Sequence, residues 1–213
     1  INNLFSNEYS AIKFLFSVDE KRSVEGVIIP QLNRLTACIS SQVGCSLSCT
    51  FCATGKLKLY KNLTSGEIYD QVFLLNQYTL QKFNRPISNI VFMGMGEPLL
   101  NIKNVLKSIK LITSENGMHM SGKRITVSTV GITKIIRNIA DINPNFNLAI
   151  SLHSANDNKR SEIMEINKTN NLTKLSESLL YFYEKTKIKP TYEYVLLGGI
   201  NDSIDDAKSL VDF

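Results

Sequence analysis

Hydrophobic and polar residues alternate near the start of the chain. Every second residue is apolar between positions 12 and 18, namely Ile12, Phe14, Phe16 and Val18. A period of two is typical of a half-buried β-strand. The polar residues 19–23 predict a turn, and residues 24–29, closed by Pro30, predict a return strand. We therefore expect residues 1–34 to form an antiparallel lead-in to the rest of the fold.

From position 35 the pattern changes to strands that alternate with segments of helical period. Strands are predicted at residues 35–40, 89–93, 124–129, 148–152 and 192–197. Apolar residues three or four positions apart, which are typical of amphipathic helices, predict helices around residues 64–79, 102–109, 135–139 and 172–182 and after Ser203. The first of these helices begins with Thr64 and Glu67, which have the spacing of a capping box.

Five consecutive strand–helix units predict parallel strands joined by right-handed crossovers. An open doubly wound sheet and a barrel both satisfy this order. Doubly wound sheets often carry a glycine-rich phosphate-binding turn after the first strand, whereas this chain carries cysteines there. We therefore expect an α/β fold in which residues 35–213 form a partial barrel.

The composition permits one domain and does not restrict the function much further. The chain has 213 residues, of which 43% are hydrophobic, and a net charge of +5. The charge allows an anionic partner such as nucleic acid, and a lysine-rich solvated surface explains it equally well. No apolar run approaches the ~18 residues of a membrane span. Because the chain starts at Ile1 and ends inside a predicted helix, we expect a piece of a longer protein, and a targeting peptide stays open.

The cysteines carry the clearest chemical signal. All four lie within fifteen residues, at Cys38, Cys45, Cys49 and Cys52. A disulfide framework spreads its cysteines over distant loops, so this clustering favours metal binding in a reducing compartment, most simply the cytoplasm. The last three have the spacing C-x3-C-x2-C, which gives three thiolates to a four-iron cluster and leaves the fourth iron open. Zinc also binds thiolates, but structural zinc sites use cysteine pairs with a long spacer.

The C-x3-C-x2-C spacing resembles the signature of the radical S-adenosylmethionine (SAM) superfamily. The resemblance implies that Cys45, Cys49 and Cys52 hold a [4Fe-4S] cluster and that SAM binds the open iron. It also implies a partial (β/α)6 TIM-like barrel, which agrees with the number of strand–helix units. In that superfamily an electron from the cluster cleaves SAM to methionine and a 5′-deoxyadenosyl radical.

Four further segments follow the predicted strands, at residues 94–101, 126–131, 151–153 and 197–203. They lie at the C-terminal strand ends, where β/α barrels build their active sites. With residues 40–45 they resemble the RlmN-type RNA methyltransferases. The resemblance implies a cytoplasmic, monomeric enzyme without a membrane contact that methylates C2 of an adenine in 23S rRNA and in tRNA. It also implies an electron donor such as flavodoxin or ferredoxin.

Two alternatives stay open at this point. The related Cfr-type enzymes methylate C8 of the same adenine, and an inert iron–sulfur module could bind RNA without reacting. A basic segment beside the cysteines, with Lys56, Lys58 and Lys61, could contact phosphates in either case or form a solvated loop.

The resemblance also assigns roles to single residues. The positions matched to the SAM pocket are Gly96, Glu97, Ser128, Ser151, Leu152 and His153. Cys38 matches a thiol that resolves a covalent protein–RNA intermediate by forming a disulfide, and Glu25 matches a proton acceptor. Without the resemblance, Glu25 would be a solvent-facing charge on a strand and Cys38 a small buried hydrophobe.

The cysteine that carries the methyl group in that family has no counterpart in this chain, since no Cys follows Cys52. We expect that cysteine, the last barrel unit and the C-terminal tail beyond Phe213. This stretch alone is therefore expected to bind the cofactors without methylating RNA.

Overall fold

Three strands that pair antiparallel open the fold. The computed structural model describes residues 10–213, so the part of the predicted lead-in at residues 1–9 lies outside the described residues. The strands are β1 (Ile12–Ser17), β2 (Ser23–Gln31) and β3 (Arg34–Cys38). β2 pairs with both neighbours in antiparallel register. Buried and exposed residues alternate along β1, as its sequence predicts.

The later elements are mostly strands followed by helices. In chain order they are β4 (Gln42–Val43), β5 (Lys61–Asn62), α1 (Ser65–Phe83), β6 (Asn89–Phe92), α2 (Ile102–Thr113), β7 (Ile125–Thr129), α3 (Thr133–Asp141), β8 (Asn147–Ser151), α4 (Asp157–Ile163), α5 (Leu172–Thr186), β9 (Thr191–Glu193) and α6 (Ile204–Asp212). β4 and β5 form a separate antiparallel ribbon.

The main sheet has the strand order β1-β2-β3-β6-β7-β8-β9, and its strands are parallel from β3 onward. A doubly wound sheet reverses its strand order at a switch point, and this sheet does not. The order is that of a barrel wall, which confirms the predicted fold class.

Burial separates the two faces of the sheet. The side chains that pack against the helices are fully buried, as at Ile90 and Phe92 of β6 and at Leu75 of α1. The Thr64–Glu67 capping box is present, and it starts α1 at the predicted position. On the other face, inside the partial barrel, β7 and β9 carry polar side chains such as Ser128 and Glu193, which form a hydrogen bond with each other.

The predicted fifth strand extends too far. β9 ends at Glu193 rather than at position 197, because the buried Asn201 takes the backbone groups that a longer strand would pair. Its amide nitrogen donates to the Val195 carbonyl at 2.8 Å, and its amide oxygen accepts from Leu197 N at 2.7 Å.

The sequence patterns also missed the seven-residue helix α4, in which only Arg160 and Ile163 are buried. Asn156 caps it by accepting from the backbone of Asn158 and Lys159.

Candidate cofactor-binding site

One cavity of about 420 Å³ opens at the C-terminal ends of the parallel strands. Its size lies within the usual range for small-molecule sites. The predicted site residues that line it are Cys45, Cys49, Cys52, Gly96, Glu97, Ser128, Ser151 and His153. The structure therefore brings the cysteine loop together with segments that follow three different strands.

Backbone hydrogen bonds shape the cysteine loop. Gly44 has a φ of +77°, a conformation that glycine adopts without strain, and it turns the chain into Cys45. Cys52 N donates to the Cys49 carbonyl at 3.1 Å. Thr50 N donates to the Ile163 carbonyl at 3.0 Å, which ties the loop to the end of α4.

The donor set suits an iron–sulfur cluster. Cys45, Cys49 and Cys52 are free thiols on one cavity wall. Among residues 10–213, no three His, Cys, Asp or Glu side chains converge closely enough to hold one metal ion. Three thiols that line one cavity can each bind a different iron of a cluster.

Burial raises the pKa of the Cys45 thiol. Burial also raises the pKa of the Cys49 thiol, and the charges of the neighbouring cysteines contribute to the rise, which reaches about 11. Coordination to iron removes such protons.

Glu97 joins two loops of the cavity. Its carboxylate accepts from Leu99 N and from Val130 N, both at 3.0 Å. Its own backbone N–H donates to Gln42 Oε1 at 2.8 Å. Burial raises the pKa of this carboxyl to about 7, although the Thr129 hydroxyl and the two N–H groups oppose the rise. Both oxygens are therefore committed to the protein.

His153 presents a neutral ring to the cavity. Its Nδ1 accepts from Val195 N at 3.1 Å, so the ring proton resides on Nε2. Burial lowers the pKa of His153 to about 4, and the charge of Arg160 adds to this effect. The Phe51 ring meets the imidazole edge to face with the centroids 4.8 Å apart. At neutral pH His153 is thus a hydrogen-bond donor without charge.

Comparison with known proteins agrees with this geometry. The family model described as "Radical SAM superfamily" matches residues 39–212, which is most of the chain. The chain belongs to the radical SAM superfamily. The superfamily uses a [4Fe-4S] cluster and SAM, and these are the cofactors of this chain.

Relatives with curated names point to one branch of the radical SAM superfamily. A "Probable dual-specificity RNA methyltransferase RlmN" of Cytophaga hutchinsonii is 54% identical over 95% of this chain and 55% of its own length. The protein of the same name from Flavobacterium psychrophilum is 56% identical over 89% of this chain and 55% of its own length. The resemblance to the RlmN type is confirmed, and the chain spans about half the length of these relatives.

A solved structure gives the same result for the fold. The radical SAM methyltransferase from Sphaerobacter thermophilus superposes with a TM-score of 0.94 at 35% identity. The match covers 100% of this chain and 62% of that protein.

Glu193 is a residue of the radical SAM site that sequence reasoning missed. Its Oε2 accepts from Ser128 Oγ at 2.6 Å and from Ser151 Oγ at 3.2 Å. The β8–β9 register places it beside Ser151, and it lines the cavity. The sequence does contain one indication of this role. Glu193 is an acidic residue inside a predicted barrel strand, and the preceding predicted strand ends near Ser151.

Arg160 was missed as well, because a lone arginine in a polar segment looks solvated. It is fully buried behind the cavity. Its Nη2 donates to the Val130 carbonyl at 2.7 Å and to the Ser151 carbonyl at 3.3 Å. Its Nε donates to the Leu152 carbonyl at 3.0 Å, and its Nη1 to Asn167 Oδ1 at 2.6 Å. Burial lowers the pKa of Arg160 only to about 10, so it stays charged and clamps the ends of β7 and β8.

Three predicted residues lie outside the cavity wall. Leu152 is fully buried, and its backbone N–H donates to the Glu193 carbonyl at 3.0 Å. Burial raises the pKa of the Cys38 thiol to about 11, while a hydrogen bond from Met93 lowers it and the charge of Glu193 raises it. The side chain of Glu25 is 44% exposed and pairs with Lys13 Nζ at 2.6 Å.

Proposed function

We propose that this chain is the core of a radical SAM methyltransferase that modifies C2 of an adenine in 23S rRNA and in tRNA. The observation that carries the proposal is that one cavity joins three cluster-spaced cysteines to hydrogen-bonding groups at the ends of β7 and β8. The names of the relatives support an RNA substrate.

In this proposal Cys45, Cys49 and Cys52 hold the cluster. The cluster and SAM together supply a methyl group and a reactive carbon radical. The cavity residues Gly96, Glu97, Ser128, Ser151 and His153 bind and orient SAM. Leu152, behind the cavity wall, belongs to the same proposed set. Glu97 acts through the backbone that it holds, since its oxygens accept from Leu99 N and Val130 N. Leu152 contributes only its backbone.

Cys38 and Glu25 complete the reaction in this proposal. Cys38 is paired with Val27 across β2 and β3, and Glu25 lies two residues from Val27, so the side chains of Glu25 and Cys38 share the inner face of the sheet. Cys38 resolves the protein–RNA adduct by forming a transient disulfide with the methyl-carrying cysteine of the whole protein. Glu25 accepts the proton that leaves the adenine, which requires its ion pair with Lys13 to open.

RNA and an electron donor such as flavodoxin or ferredoxin are the partners of this proposed cytoplasmic monomer. Lys56 and Lys58 are exposed on the segment that follows the cysteines, where they can meet phosphates. Lys61 is less available, because its Nζ pairs with Glu67 at 2.6 Å.

The test uses the full-length protein, reconstituted without oxygen and supplied with dithionite, SAM and an rRNA fragment. We expect 5′-deoxyadenosine and, in the digested RNA, 2-methyladenosine by mass spectrometry. The appearance of 8-methyladenosine instead would assign the Cfr-type reaction. RNA binding without 5′-deoxyadenosine would leave the inert module as the function.

A further inference from the structure

We propose that Glu193 accepts hydrogen bonds from the hydroxyls of Ser128 and Ser151, and that both serines can therefore only accept hydrogen bonds from SAM. Both serines then face the ribose of SAM as acceptors. Glu193 is a positioning residue in this proposal, since it acts through the two serines. The inference rests on the proposed placement of SAM against them.

The geometry of the three side chains carries the proposal. Ser128 Oγ and Ser151 Oγ both approach the same carboxylate oxygen, Oε2, at 2.6 and 3.2 Å. The two hydroxyls are 3.4 Å apart, farther than either is from the carboxylate. All three residues line the cavity.

The backbone of Glu193 is fixed independently of its side chain. Leu152 N and His153 N donate to its carbonyl oxygen at 3.0 and 3.2 Å. The carboxylate is therefore held against the serines by the end of β8 as well as by the hydroxyls.

The chemistry of a hydroxyl then decides what the pocket offers. A serine has one proton and two lone pairs, whereas an ionised carboxylate has acceptors only. A serine whose O–H donates a hydrogen bond to Glu193 has only the lone pairs of its oxygen left for a ligand. The ribose of SAM carries two O–H donors, which match such acceptors, whereas the adenine offers donors only at its exocyclic amino group.

Glu97, the other carboxylate in the described cavity wall, has different partners. Its two oxygens already accept from Leu99 N and Val130 N. Glu193 accepts hydrogen bonds from the two serines instead. Glu97 therefore holds the loops of the cavity together, and Glu193 orients the serine hydroxyls that face the ligand.

The test measures the affinity of cluster-loaded protein for SAM and for its 2′-deoxy and 3′-deoxy analogues. A glutamine at position 193 replaces one carboxylate oxygen by an amide donor and leaves one uncharged oxygen, which is a weaker acceptor for the two serine hydroxyls. We expect Glu193→Gln to weaken SAM binding about tenfold. At least one analogue lacks the O–H group that donates to the serines. For that analogue, the affinities of wild type and variant should differ by less than twofold. An equal loss for SAM and both analogues would overturn the proposal.

The matched control is Glu184→Gln, which makes the same substitution at an exposed position of α5 and should leave all three affinities unchanged. Iron content and thermal unfolding report whether each variant keeps its fold and cluster. If Glu193→Gln loses the cluster, Ser128→Ala and Ser151→Ala carry the same comparison. These serine variants should show the same selective loss for SAM over the deoxy analogue, and an unselective loss would contradict the proposal.

A double-mutant comparison separates a positioning role from direct contact. In the Ser128→Ala/Ser151→Ala background, Glu193→Gln should change SAM affinity by less than twofold. A further tenfold loss there would show that Glu193 contacts SAM itself, against the proposal. SAM affinity does not depend on which adenine carbon is methylated, so this result and the RNA methylation test can fail separately.

Discussion

The carboxyl of Glu97 is the most perturbed acid of the cavity, because it is buried without a cation beside it. Two backbone N–H groups stabilise its charge, yet burial still raises its pKa to about 7 from 4.5. The folded protein therefore binds this proton more tightly than the unfolded chain does. The stability that this provides is fully present below pH 4.5 and is lost as pH rises towards 7.

Replacing Glu97 by Gln should remove this pH dependence. Between pH 4.5 and 7 the free energy of unfolding of the wild type should fall relative to the variant, by up to about 3 kcal/mol. Urea unfolding of both cluster-free proteins across that range measures the difference. Parallel pH profiles would contradict the raised pKa.

His153 should stay neutral well below the usual titration range of histidine. Its pKa is lowered to about 4 from 6.5, so the unfolded chain takes up a proton first and this residue makes stability fall as pH drops from 6.5 to 4. NMR of the imidazole C–H groups, assigned with His153→Gln, should show constant shifts from pH 8 to 5. A midpoint near 6.5 would contradict the buried, Nε2-protonated ring.

Single residues were predictable where their chemistry is local in sequence. The spacing of Cys45, Cys49 and Cys52 predicts a ligand set without reference to the fold. The capping box at Thr64, which the sequence of four residues predicts, is present. Glu193 and Arg160 act on residues 42 and 30 positions away. Their partners depend on strand register and burial, which no local pattern encodes.

At the scale of elements, Arg160 joins β7, β8 and α4. Arg160→Met would leave three carbonyl oxygens and the Asn167 amide oxygen without their buried donor. We expect the free energy of unfolding to fall by about 3 kcal/mol or more. Urea unfolding measures this loss. Arg160→Lys keeps the charge but has fewer donors, so its free energy of unfolding should lie between those of the wild type and Arg160→Met.

The control for this change is Arg137→Met on α3, where the exposed arginine stacks on Tyr181 with its Cζ 4.4 Å from the ring centroid. The loss of this exposed contact should cost less than about 1 kcal/mol. Equal losses at both arginines would argue against a clamp.

Element boundaries depended on contacts that the patterns do not contain. The apolar run after position 192 predicts a six-residue strand, but β9 stops at Glu193 because Asn201 captures the following backbone. α4 has too few turns to show a period. Long periodic elements such as α1 were predictable because many apolar residues at helical spacing mark the same buried face.

For the whole molecule, the alternation of strands and helices predicts parallel strands, and the cysteines after the first strand favour a barrel over a doubly wound sheet. The strand order confirms this fold class. No helix among the described residues is long and apolar enough to cross a membrane. This chain spans about half the length of the curated relatives that it matches.

Two cysteine variants of the full-length protein should separate the proposed roles. Cys49→Ala should prevent cluster assembly, so that neither 5′-deoxyadenosine nor an RNA adduct forms. Cys38→Ala should keep the cluster and accumulate RNA bound covalently to protein, because the resolving thiol is absent. Iron analysis, nucleoside mass spectrometry and denaturing gels measure these outcomes. Normal turnover by Cys38→Ala would exclude the resolving role.

The hydrogen bond from Thr50 to Ile163 links the cysteine loop to a helix that holds no cluster ligand. The next residue, Met164, donates to the Arg160 carbonyl at 2.8 Å, so the loop, the helix end and the clamp form one chain of contacts. Ordering of the loop by its cluster should slow amide hydrogen exchange at Thr50 and, through this chain, at Met164. Helix α4 would then report cluster occupancy from outside the cavity, on a timescale of minutes to hours.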